Sequence, residues 1–264
     1  MPDAVKLHES FERDGMFIVK GLIGQQQINL YKEHYERKSH EWRYSESEQK
    51  QHYLHFPFRI HERDSMLSYM LNQRAVLDLV GELLGGVYRP QIVISIVDWV
   101  SIGQDWHTDR PRANLFGNYD TTYSPTQYGA WIALDEIKRE SGPFGFIRGS
   151  NRIDRDTDDY YLKKKFEYEE RLLSSGRVAI RPDGTLEFDT DRLENASINE
   201  QILHLYSDFF SKYVSCGIED GRLIPEVFLA EPGDVLFWSD HTIHCAHKSE
   251  NGFLRKSIIG HYCK

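Results

Sequence analysis

His107 and Asp109 are the residues whose types and spacing most readily suggest chemistry. They stand two apart in QDWHTDRP (104–111). On an extended chain, side chains at i and i+2 share one side, so an imidazole and a carboxylate can converge on one metal ion. A third ligand must come from elsewhere, and SDHTIHCAHK (239–248) offers His241, His244 and His247. Two histidines and one carboxylate on a single face leave coordination positions open, as in non-haem Fe(II) oxygenases. Alone, the His-x-Asp pair fits an ordinary strand end equally well.

A metal site of this kind needs strands to hold it. GMFIVK (15–20), QIVISIVDWV (91–100), YGAWIALDEI (128–137) and GFIRGS (145–150) read as strands, as do PEVFLA (225–230), GDVLFWSD (233–240) and RKSIIGHYCK (255–264). Helical periodicity marks residues 25–42, and an apolar helix over 64–84 stops at Gly85-Gly86. The expected fold is mainly β, a double-stranded β-helix or jelly roll with flanking helices. One domain is expected over 1–264. Residues 1–90 form the helical flank and first strand, and 91–150 with 224–264 form the core. Residues 151–223 form a polar insertion, with a surface helix over 160–173, that could act as a lid or be a solvated excursion.

Composition narrows the class. The chain has 264 residues, 40% of them hydrophobic, enough for a sizeable core. Its formal charge of −9 argues against a general nucleic-acid or anionic-membrane binder, which needs a basic face. Cys216, Cys245 and Cys263 are widely spaced and odd in number, and outline neither a disulfide framework nor a zinc pattern. No apolar run reaches membrane-spanning length, and the start lacks a signal-peptide core. A cytoplasmic protein is expected, of no specified oligomeric state.

Four blocks, in order, resemble the phytanoyl-CoA dioxygenase family of Fe(II)/2-oxoglutarate oxygenases. They are DGMFIVKGLIGQQQINLYKEHYE (14–36), WHTD (106–109), YGAWIALDEIKRESGPFGFIRGSN (128–151) and EPGDVLFWSDHTIHCAHKSENGFLRKSIIGHY (231–262). The resemblance implies Fe(II) as cofactor, with 2-oxoglutarate and O2 as co-substrates and succinate and CO2 as products. It makes His107, Asp109 and His244 the metal ligands, His244 because it lies eleven residues after Gly233. His241 and His247 each stand three residues from it, on the opposite side of a regular strand. The resemblance also assigns Arg255 to the distal carboxylate of 2-oxoglutarate, with Trp131 and Gln104 close to the co-substrate. A guanidinium suits that task through two parallel hydrogen bonds.

Two positions depart from the family pattern: Ala246 replaces a frequent serine, and Asn151 replaces the histidine of the Gly-Ser-His turn. With Asp109 in place, hydroxylation, desaturation or ring closure is favoured over halogenation, since related halogenases lack that carboxylate. The substrate is expected to be a small molecule. Arg110 and Arg112 beside the ligand pair, with Arg59 and His61 from HFPFRIHERD (55–64), suggest an anionic one. The alternatives are a jelly-roll isomerase or hydrolase that does not use 2-oxoglutarate, and a hydroxylase acting on a protein.

Overall fold

The computed structural model describes residues 4–42, 59–85, 89–98, 101–110, 115–117, 127–153, 155–184, 186–188, 198–250 and 252–264. Arg112, most of the loop after Arg110 and the first part of the 55–64 stretch lie outside the described residues. Cα packing divides the chain into two compact units. The first, Met1–Asp105, Ser124–Arg152 and Pro225–Lys264, carries the two main sheets. The second, Trp106–Tyr123 and Ile153–Ile224, is largely helical.

The first unit opens with α1 (Ala4–Asp14), β1 (Met16–Val19) and α2 (Gln25–Trp42), followed by α3 (Ser65–Leu71) and α4 (Arg74–Leu83). Its strands are β2 (Gln91–Asp98), β3 (Ile102–His107), β4 (Gln127–Ala133), β5 (Phe144–Ile147) and, later in the chain, β8 (Pro225–Phe228), β9 (Val235–Ser239), β10 (His244–Lys248) and β11 (Ser257–Cys263). One five-stranded sheet has the order β1-β9-β4-β11-β2, and a four-stranded sheet has β3-β10-β5-β8. Strand β3 crosses the division, its last two residues falling in the second unit. The pairings of β1, β9, β4, β11 and β2, and of β10, β5 and β8, are antiparallel. Two antiparallel sheets with flanking helices are the jelly roll expected from the sequence.

Alternation along β4 and β9 separates two cores. Ala130, Ile132, Val235 and Phe237 pack with the helices, against Ile28, Tyr31, Leu67, Met70, Val76 and Val80. Trp131, Ala133, Leu236 and Trp238 point the other way, against Phe144, Phe146 and Phe228 of the four-stranded sheet. Two-sided burial explains why these strands read as continuous apolar runs.

The apolar stretch 64–84 is two helices rather than one. Asp64 caps the first by accepting from Leu67 N at 2.8 Å. Asn72 ends it, its side chain donating to Ser68 O. Both pieces bury the same kind of apolar face, so the period runs on through the break. No helix among the described residues is long and apolar enough to cross a membrane.

The second unit holds α5 (Asp159–Ser174), the hairpin β6–β7 (Val178–Ile180, Leu186–Phe188) and α6 (Ile198–Glu219). Tyr161, Tyr168, Phe209 and Tyr213 pack between its two helices. The sequence predicted only the first of these helices.

Candidate metal centre

His107 ends β3, Asp109 follows two residues later, and His244 begins β10, the neighbour of β3 in the four-stranded sheet. One ligand atom from each residue lies within 4.8 Å of the other two. His107 and Asp109 are half-buried and His244 is buried. Donors of this type and spacing can hold a divalent metal, because neutral imidazoles and a carboxylate need only a few ångströms of clearance to share one ion.

His244 is fixed on several sides. Its ring stacks on Phe144 with centroids 5.0 Å apart and planes 10° from parallel, and Trp238 lies 5.7 Å away. Its Nδ1 lies 2.9 Å from Thr242 O. A carbonyl only accepts, so Nδ1 carries the proton and Nε2 keeps the lone pair a metal requires. Thr242 is itself anchored, donating from Oγ1 to Gly15 O at 2.6 Å. Ser150 of the Arg-Gly-Ser turn accepts from Ile243 N at 2.8 Å and donates to Ile147 O. The turn therefore orients the chain just before His244. The sequence flagged that turn but not what its serine does.

The competing histidines have other neighbours. His241 is half-buried with Nε2 3.7 Å from Asp240 Oδ1. His247 lies within β10, and its pKa is lowered by burial first, then by the cations Arg255 and Arg139. Cys245, between His244 and Ala246, is buried, and burial pushes its thiol up to about 12. It stays protonated and does not compete as a thiolate ligand.

Arg255 is only 3% exposed. Its Nη1 donates to Gly142 O, and its guanidinium lies 5.0 Å from the centre of the Trp131 ring. Trp131 is fully buried, and among the described residues its indole N–H has no hydrogen-bond partner. A buried donor without an acceptor costs about 1–3 kcal/mol, so the pair fits an anionic oxygen ligand that completes it. Gly142 belongs to the same cradle. Its φ is +76°, and a Cβ there would come 2.4 Å from His247 O.

The remaining predicted residues are spread more widely. Gln104 is exposed on β3, three residues from His107 and so of opposite parity. Arg110 is half-buried, and its carbonyl accepts from Thr108 Oγ1 at 3.1 Å. Arg59 is exposed and paired with Glu62. His61 is buried with Nδ1 2.5 Å from Ser95 Oγ. Ser95 shares parity with Val97, which packs with the helices, so His61 lies on the opposite face of the five-stranded sheet from Trp131 and Trp238.

A model of the phytanoyl-CoA dioxygenase (PhyH) family matches residues 11–257. No curated protein matches the sequence. Among solved structures, the fold is similar to the non-haem α-ketoglutarate-dependent epimerase SnoN from nogalamycin biosynthesis, with 16% identity and a TM-score of 0.59, covering 99% of this chain and 83% of that one. EctD from S. alaskensis, solved with 2-oxoglutarate and 5-hydroxyectoine, gives 14% identity and a TM-score of 0.61 over 99% and 76%. AviO1 from Streptomyces viridochromogenes Tue57 gives 16% and 0.56 over 100% and 96%. At these identities the structural likeness establishes the fold alone.

Proposed function

The chain belongs to the phytanoyl-CoA dioxygenase family of Fe(II)/2-oxoglutarate oxygenases, and from that premise we propose that it hydroxylates a small molecule, releasing succinate and CO2. The observation that carries this reading is the convergence of His107, Asp109 and His244. The buried Arg255–Trp131 pair supports 2-oxoglutarate as the co-substrate.

In this reading the three ligands hold Fe(II) and leave a face open. Arg255 grips the distal carboxylate of 2-oxoglutarate, and the Trp131 indole gains an acceptor. When bound, the metal and 2-oxoglutarate supply the oxidising power, with O2 as oxidant. The chain supplies geometry: Thr242 fixes the His244 tautomer, and Phe144 and Trp238 form an apolar wall beside the ring. Asp109 fills the coordination position that related halogenases leave to chloride. Gln104, at opposite parity from His107, has the weakest support among the proposed co-substrate residues.

Arg110, half-buried one residue past Asp109, favours a substrate carrying a carboxylate or phosphate. Arg112 joins it in this proposal by sequence position. The structure gives Arg59 and His61 other partners, so the case for an anionic substrate rests on Arg110 and Arg112. A second outcome, epimerisation, is kept open by one observation: SnoN, which is similar in fold, is an epimerase. Incubation with Fe(II), 2-oxoglutarate and a panel of anionic and neutral compounds separates these readings. Hydroxylation adds one oxygen atom to the product, ring closure or desaturation removes two hydrogens, and epimerisation leaves the mass unchanged. Absence of succinate release with any compound, in protein that binds metal, favours the jelly-roll isomerase or hydrolase.

A further inference from the structure

We propose that Arg155 is a positioning residue for the metal centre, bracing the His107–Asp109 ligand turn through the hydroxyl of Thr108. This rests on the metal-centre reading above and adds a residue from the 151–223 insertion to it.

Arg155 stands in a run, DRDTDD, that reads in the sequence as solvated surface, yet it is only 6% exposed. Its Nη1 donates to Tyr206 Oη at 2.8 Å, and its Nη2 donates to Thr108 Oγ1 at 3.0 Å. The guanidinium lies 4.8 Å from the centre of the Phe210 ring. A buried cation ordinarily sits against a carboxylate, because desolvation must be offset. Here a phenol, an aromatic face and a threonine hydroxyl hold it. Tyr206 and Phe210 are both on α6, so the helix fixes the arginine and the arginine reaches the ligand turn.

Thr108 is the residue between the two ligands. Thr108 is buried while His107 and Asp109 are half-buried, and its hydroxyl is turned to Arg155. Its hydroxyl accepts from Arg155 and donates to Arg110 O at 3.1 Å, a bond that spans Asp109. Both hydroxyl functions are used, which leaves the group one orientation and sets the backbone on each side of the carboxylate. A second tie follows a few residues on, where Phe116 N donates to Glu169 of α5. The insertion thus holds the ligand turn through two ties. Partners that orient metal ligands typically matter about 10–100-fold in metal affinity or activity.

The test is Mn(II) affinity, measured by calorimetry without substrate or 2-oxoglutarate, alongside thermal melting. Arg155→Met and Thr108→Val are each expected to weaken Mn(II) binding about 10–100-fold. Thr108→Ser, which restores the hydroxyl, is expected to return it to the unaltered value. The double variant should bind no more weakly than the weaker single one, since both changes break one chain of bonds. A part that is only structural would lower the melting temperature and leave Mn(II) affinity alone, and that result overturns the proposal. Multiplying effects in the double variant also overturn it. Should Arg155→Met fail to fold, Thr108→Val decides the question, since it removes one hydroxyl at nearly constant shape. Failure of the unaltered protein to bind Mn(II) overturns the metal centre and this proposal together. Binding that is equal in all variants overturns this proposal alone.

Discussion

Replacing Arg255 by Met separates the co-substrate site from the metal site. The guanidinium is buried, donates to Gly142 O and lies over Trp131. Two effects on folding oppose each other. Gly142 O loses a donor, which costs about 1 kcal/mol or somewhat more. Removing a buried charge in favour of an apolar chain of similar length regains a comparable amount. The melting temperature should therefore move little. Co-substrate binding has no such compensation, because the distal carboxylate of 2-oxoglutarate is left buried without its cation. Breaking a buried ion pair costs about 3–5 kcal/mol. At about 1.4 kcal/mol per factor of ten, the Kd for 2-oxoglutarate should rise by more than two orders of magnitude. Arg255→Lys keeps the charge but loses the two-pronged grip, and roughly tenfold is expected.

The assay is calorimetric titration of 2-oxoglutarate into Mn(II)-loaded protein, with Mn(II) affinity as control. Mn(II) affinity should be unchanged, since Arg255 is not among the ligands. His247 provides an independent reporter: Arg255 is one of the cations that depress its pKa, so its NMR titration should shift upward in Arg255→Met. A folded Arg255→Met protein that binds 2-oxoglutarate within twofold of the unaltered value refutes the assignment.

Gly129→Ala should be poorly tolerated, because its Cβ would fall 2.1 Å from Trp238 Cζ2. Overpacking of this severity costs about 3 kcal/mol, a melting temperature lower by roughly 10 °C in a thermal scan. Trp238 neighbours His244, so Mn(II) affinity should fall with it. Asp234 contributes to acid stability. Burial pushes its carboxyl up, but bonds from Lys20 Nζ and from the Glu231 and Gly21 N–H groups outweigh this and leave its pKa lowered. Its stabilisation is complete above the unfolded carboxylate pKa of about 4 and is lost as pH falls through the folded value. Asp234→Asn should thus cost about 1–3 kcal/mol near neutral pH, and its melts should converge with those of the unaltered protein in acid.

The sequence disclosed those parts of the site that depend on neighbours along the chain. His107 and Asp109 share a strand end, and the two-sided burial of β4 and β9 shows as unbroken apolar runs. The third ligand came from the resemblance, which chose His244 among three histidines. Hidden parts depend on residues far apart in sequence. Arg155 and Thr108 are bonded across 47 positions, and nothing local marks a buried arginine within an acidic run. Helix α6 was missed, and the break at Asn72 was masked because the helices on each side bury similar faces. Nothing local in the sequence marks Phe144 as the residue stacked on His244.

The central claim is that His107, Asp109 and His244 form a working Fe(II)/2-oxoglutarate centre, and anaerobic absorption spectroscopy tests it most directly. Adding Fe(II) and then 2-oxoglutarate to the unaltered protein should produce the weak visible charge-transfer band of the chelate. His107→Ala and His244→Ala should abolish it without loss of fold. A folded, unaltered protein that gives no band, or a His107→Ala protein that gives the full band, would contradict the claim.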